Sequence, residues 1–202
     1  MPPDGPAGAT VAAGAHSALR AATDAAHVEL DTSMSAFDLA TREGYRRFLG
    51  VHAAALPPLE AALTAGGFAA ICPGWAPRMA PLTQALDRMA IPMPQAPSPE
   101  PLGAAMLWGV AYVLEGSRLG GRMLAQTVRG GEVGEDADAT AFLTDRPHLS
   151  WPAFKTALGA ALPDRAEVDA AIDGARLAFD QYLDAVRVET AAGSVTAAGP
   201  HR

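Results

Sequence analysis

Three side chains near the N-terminus have types and spacing suited to metal-centred chemistry. His27 follows Arg20 by seven residues and precedes Asp31 by four. On a helix these steps return to within about 40° of one direction, so the three share a face. An imidazole placed this way can ligate a metal through one nitrogen while a carboxylate holds the other, which sets the tautomer and raises ligand basicity. Arg20, about 10 Å along the axis, can meet a carboxylate carried by the same bound group. The same residues would also make an ordinary solvated face, and spacing alone does not separate the two readings.

Gly109, Gly116, Gly120 and Gly121 form the second notable set. Each glycine inside a helix costs about 1 kcal/mol relative to alanine. Positions 109, 116 and 120 fall on one stripe, a side-chain-free backbone flanked by Tyr112 and Met123 on which a flat group could lie. Close helix–helix packing, or a helix that breaks at GSRLGG, would use the same glycines. Other chemistries find little support. No Glu-x-x-His pair occurs for a di-iron bundle. Ser117 lacks the strand–turn–helix setting of a nucleophile elbow, and GSRLGG has no preceding strand or following lysine to make a phosphate loop. His52 and His148 read as structural, and His16 and His201 as tail residues.

These residues must be positioned by helices. The 202-residue chain is 50 % hydrophobic and 18 % charged, rich in alanine and leucine, and therefore one helical domain rather than a disordered or all-β chain. Its net charge of −7, with Lys155 the only lysine, argues against nucleic acid as a partner. The single cysteine, Cys72, excludes a disulfide scaffold and a thiolate-rich metal site. The opening residues lack a secretion signal, and no uninterrupted apolar run of about 18 residues predicts a membrane span, so the cytoplasm is the expected location.

The expected organisation is a flexible tail over 1–16, a helical domain over 17–188 and a second flexible tail over 189–202. Ser17 is placed to cap a first helix from Ala18 to about Asp31. Thr41 opens a second helix, which Pro57-Pro58 should kink or divide and Gly66-Gly67 should end. A short helix is expected over Leu82–Met89, followed by a proline-rich connector inside the domain. A long, buried central helix is expected from about Glu100 to Val128, and a short one over Asp136–Phe142. Ser150-Trp151-Pro152 starts another, and Asp164 caps the last, to about Val188. The fold class is an all-α, single-domain, multi-helix bundle.

The segment Tyr112–Gly121, YVLEGSRLGG, resembles the distal-helix signature of heme oxygenases, especially the bacterial kind associated with phytochromes. Leu19-Arg20-Ala21-Ala22-Thr23 followed by His27 resembles the same family's first-helix motif, which carries the proximal heme ligand. The later positions Trp151 to Leu158 and Ala178-Phe179 fit its closing helices, so the likeness spans roughly residues 17–186.

That resemblance implies heme held between the first and the long central helix. His27 would be the axial iron ligand, oriented by Asp31. Arg20 and Tyr112 would hold propionates, with Thr23 in the same motif. Gly116, Gly120 and Gly121, with Ser117 where animal members have aspartate, would form the distal ledge, and Phe179 would pack at the heme edge. The implied reaction is oxidative opening of heme to biliverdin, carbon monoxide and iron, with heme as both cofactor and substrate. Dioxygen and an external reductase or ferredoxin-type donor are implied partners, and a bacterial phytochrome a possible recipient of the product. A non-catalytic heme- or tetrapyrrole-binding protein on the same scaffold is the alternative.

Overall fold

The computed structural model describes residues 7–95, 99–146 and 148–197, and among them there is no strand. Nine helices follow in chain order among these residues: α1 (Ala7–Ser35), α2 (Arg42–Ala65), α3 (Phe68–Ile71), α4 (Met79–Arg88), α5 (Ala104–Ser117), α6 (Gly121–Gly130), α7 (Ala141–Thr144), α8 (Trp151–Ala161) and α9 (Arg165–Ala197). A single 3-10 turn, Arg118–Gly120, joins α5 to α6. The all-α bundle expected from composition is therefore the observed architecture.

The core forms around α5 and α9, the most extensively packed pair. Gly109 and Gly174 allow it: a Cβ on Gly109 would overlap the Ala171 carbonyl oxygen, and one on Gly174 the Met106 carbonyl oxygen. The two backbones thus touch at two reciprocal notches. α1 packs against α9 and α8, and α2 also packs against α9. Leu19, Leu49, Leu56, Leu63 and Leu107 are fully buried, each such side chain stabilising the fold by about 1.5–3 kcal/mol.

Local signals set several boundaries as expected. Thr41 accepts a hydrogen bond from the Gly44 amide at the start of α2, and Gly66 ends that helix. Ser150 accepts from the Ala153 amide at 3.3 Å and Asp164 from the Glu167 amide at 3.0 Å, opening α8 and α9.

Other boundaries move. α1 starts at Ala7, not Ala18, so Ser17 is an exposed residue inside the helix rather than its cap, and α1 runs past Asp31 to Ser35. The alanine-rich stretch before Ser17 has high helix propensity, and Ala15 finds a buried position at its end. Residues 1–6 of the expected tail lie outside the described residues.

α2 is not divided at Pro57-Pro58. An internal proline costs roughly 3 kcal/mol, but Ala55, Leu56 and Leu59 around the pair are buried and hold the helix to its neighbours. α2 is also long and apolar enough to cross a membrane, yet 61 % of its apolar window is buried inside the fold, as in a core helix. The expected central helix is two helices with an elbow at Arg118–Gly120. The expected helix over Asp136–Phe142 shifts to Ala141–Thr144, preceded by turns in which Asp136 accepts from the Asp138 and Ala139 amides. α9 continues past Val188 to Ala197, so helix replaces part of the expected C-terminal tail, and residues 198–202 lie outside the described residues.

Candidate functional site

The outward face of α1 carries His27, Asp31 and Arg20, one face as the spacing requires. His27 Nδ1 stands 3.3 Å from Asp31 Oδ2, with the two side chains 62 % and 69 % exposed. No bridging water is needed at that distance, and the carboxylate leaves Nε2 as the imidazole nitrogen available to a ligand. From α9, the buried Phe179 ring meets His27 edge-on at 6.1 Å. Val28, beside His27, is 57 % exposed.

One to two turns earlier on α1, polar groups from three helices meet. Thr23 is buried and donates to the Leu19 carbonyl at 2.8 Å, with the Tyr112 phenol of α5 beside it. Burial raises the Tyr112 phenol above its usual pKa, while the Arg20 charge and the neighbouring Thr23 hydroxyl pull it back. Trp151 of α8 packs on Tyr112 at 5.8 Å.

His16 packs edge-on against both Tyr112 and Trp151 at 5.9 Å. Its pKa lies below the ordinary histidine value, first through burial and then through the positive charges of Lys155 and Arg20. His16 is therefore a half-buried α1 residue rather than the tail residue expected, and Lys155 joins a site for which it was not considered. Neither Arg20 nor Lys155 has a carboxylate within ion-pair distance among the described residues, whereas Arg46, Arg47, Arg78, Arg88 and Arg118 all do.

The four glycines separate by role. Gly109 belongs to the α5–α9 notch, and Gly121 is pressed against the Leu143 carbonyl, so both are packing positions. A Cβ on Gly116 would sit at ordinary contact distance, 3.9 Å, from Trp151, and one on Gly120 would meet nothing within 4 Å. Close packing and the break thus occur in one segment, while Gly116 and Gly120 are left with room for a side chain they do not carry. Leu119 and Met123 on either side of Gly120–Gly121 are 59 % and 74 % exposed, an unusual apolar load for surface positions.

Next to Gly116, around Ser117 and Arg118, lies a buried ionic cluster. Arg78, 4 % exposed, donates from Nη1 to Ser117 Oγ at 3.0 Å and lies over the Phe142 ring at 4.1 Å. Its backbone amide donates to Glu60 Oε1 at 2.7 Å. Arg118 donates to Asp145 Oδ2 at 2.8 Å and to the Ala76 carbonyl at 2.7 Å, with Nε 3.3 Å from Glu115. Burial raises the pKa of both Glu60 and Glu115 above the usual carboxylate range, with the neighbouring arginines opposing it. Ser117 Oγ, besides accepting from Arg78, donates to the Leu114 carbonyl at 2.8 Å, so this hydroxyl is engaged with the cluster.

Two groups of expected residues are thus brought together: His27, Asp31 and Phe179 at one level of α1, and Arg20, Thr23 and Tyr112 at the next. Gly116 follows Tyr112 by one turn of α5. Ser117 and Gly121 are taken up by the cluster and by packing. His52, expected to be structural, is buried with Nδ1 3.2 Å from the Tyr182 hydroxyl. Among the described residues, no group of three or more histidine, cysteine, aspartate or glutamate side chains is arranged to hold a metal ion.

No protein-family model matches the chain. Over 113 residues, 55 % of this chain and 68 % of its relative, it is 31 % identical to a protein of Xanthomonas campestris pv. campestris (strain 8004) named heme oxygenase.

Proposed function

The chain belongs to the heme oxygenase family, and we propose that it opens heme to biliverdin, carbon monoxide and iron, drawing electrons from an external reductase or ferredoxin-type donor. The residues present fit the group. The observation that carries the reading is an exposed imidazole held at Nδ1 by Asp31, on the helix face that also presents Arg20, a cation with no ion-pair partner among the described residues.

Bound heme would supply the iron that activates dioxygen and the porphyrin that is consumed. His27 would ligate the iron through Nε2, with Asp31 fixing the tautomer. Arg20 and Lys155, with the Tyr112 hydroxyl, would receive the propionates by charge-assisted hydrogen bonds. Gly116 and Gly120 would let backbone lie close over the macrocycle, and Phe179 would brace the imidazole from the side of α9. Ser117 and Gly121 would support the ledge from behind, through Arg78 and Leu143. The likeness of YVLEGSRLGG to the phytochrome-associated kind makes a bacterial phytochrome the expected recipient of biliverdin, and the cytoplasm the expected compartment.

Hemin titration followed by ascorbate or a reductase in air tests the reaction. A Soret band that forms one-to-one and then gives way to biliverdin absorption is expected. A stable ferrous or oxygenated spectrum would instead make this a non-catalytic heme-binding protein, and absence of a Soret band would remove heme from the account.

A further inference from the structure

An open cleft of about 300 Å³ lies beyond the Arg118–Gly120 elbow in the chain, lined by Arg122, Ala125, Gln126 and Arg129 of α6, by Thr144 at the end of α7 and by Arg146 just after it. Residues 122, 125, 126 and 129 recur at i, i+3, i+4 and i+7, so one face of α6 forms the wall. Asp145 turns inward to Arg118, and Arg146 next to it lines the cleft.

The charge here runs against the rest of the chain. The protein carries −7 overall, and most of its described arginines have a carboxylate within 4.0 Å. Arg122 and Arg146 have none among the described residues. Arg129 is fixed from behind, its Nη2 donating to Thr140 Oγ1 at 3.2 Å. Its nearest carboxylate is the 84 % exposed Glu135, at the long distance of 3.8 Å, and its buried Nε has no hydrogen-bond partner. Three guanidinium groups around one recess repel one another unless an anion sits among them, and an exposed carboxylate at that distance is screened too well to serve.

We propose that this cleft binds a compact oxyanion bearing two or more negative charges, of the diphosphate or tricarboxylate kind. The guanidinium fork matches phosphate and carboxylate oxygens bidentately, Gln126 adds an amide, and the buried Ala125 gives the floor an apolar patch. The volume lies at the small end of ligand pockets. No aromatic ring lines the recess, so it offers no platform for stacking a nucleobase and reads charge and shape alone. The inference is independent of heme, because none of its residues belongs to the α1–α5–α8 site.

Isothermal titration of the full chain with sodium pyrophosphate and, separately, sodium citrate at fixed ionic strength tests it. Saturable one-to-one binding of at least one of them is expected, the tighter of the two identifying the oxyanion class. Arg122→Gln and Arg146→Gln should each weaken binding about tenfold or more. Arg176→Gln, which removes an exposed arginine already paired with Asp173, should leave it unchanged, and all three variants should keep the wild-type melting temperature and hemin titration. Non-saturable heats, binding that survives both cleft substitutions, or equal loss in Arg176→Gln would overturn the proposal. So would cleft variants that bind both anions normally but lose a protein partner, since the arginines would then serve a docking face.

Discussion

Gly109 and Gly120 lie eleven residues apart in one apolar segment, yet replacing them should give opposite results. At Gly109 an added methyl overlaps the Ala171 carbonyl and comes within 2.7 Å of the Ala175 amide nitrogen. Both obstacles are α9 backbone and cannot rotate aside, so α5 and α9 must part along the most extensive helix contact in the protein. Overpacking of this kind costs about 1–3 kcal/mol, and against a backbone wall the upper half of that range applies, roughly 5–10 °C in melting temperature for a chain of this size. At Gly120 the backbone is right-handed helical, φ −82° and ψ −16°, and a Cβ meets nothing within 4 Å. Gly120→Leu should therefore change apoprotein stability by less than about 1 kcal/mol, helix propensity even favouring it. Its effect should fall on hemin, with weaker binding or a shifted biliverdin isomer. Thermal unfolding of the apoproteins by circular dichroism, beside Soret titrations, separates the two. If Gly109→Ala melts with the wild type, or if Gly120→Leu melts as early as Gly109→Ala, the division into packing and ledge glycines is wrong.

Arg118→Met should destabilise the fold by about 3 kcal/mol, because it leaves the buried Glu115 without its ion-pair partner, whereas the partly exposed Asp145 keeps Arg78 at 3.9 Å; urea unfolding measures it. Arg20→Gln and Lys155→Gln should each lower hemin affinity several-fold while leaving urea stability within about 0.5 kcal/mol, since neither cation has an ion-pair partner among the described residues; matched losses of stability would contradict this. Burial, reinforced by Arg78, lowers the pKa of His52 from the ordinary histidine value of 6.5 to about 3. The unfolded chain therefore binds the extra proton first, and the stability His52 contributes is full above pH 6.5 and declines as pH falls toward 3. The slope should approach about 1.4 kcal/mol per pH unit over most of that window. His52→Gln should flatten the dependence of the urea midpoint on pH between 4 and 6, and an unchanged slope would assign the protons elsewhere.

How much was legible in the sequence depended on how local the determinant was. Thr41, Ser150 and Asp164 act on amides three residues away, so their helices begin where the residues say. The start of α1 escaped because the buried slot for Ala15 is supplied by the rest of the fold. The elbow at Arg118 escaped because glycine-rich helix and glycine-rich break look alike until Arg118 is seen tied to Ala76 and Asp145. On α1, spacing sufficed to join His27 to Asp31. It could not join His16 to Lys155, which are distant in sequence and meet only because α8 crosses α1. The separate roles of Gly109 and Gly120 were hidden for the same reason, each being decided by what stands opposite.

The reciprocal notches at Gly109 and Gly174 have a mechanical consequence. Where two helices meet carbonyl against backbone, neither slides without one peptide group climbing over the other. α5 and α9 therefore behave as a single stiff keel that carries Tyr112 and Phe179 at a set separation. α1 is fastened to this keel by side chains, among them His16 against Tyr112, His27 against Phe179 and Glu29 paired with Arg187. The breathing that admits a rigid, disc-shaped guest accordingly falls to α1 and to the elbow before α6, and amide hydrogen exchange should be fastest there and slowest along the keel.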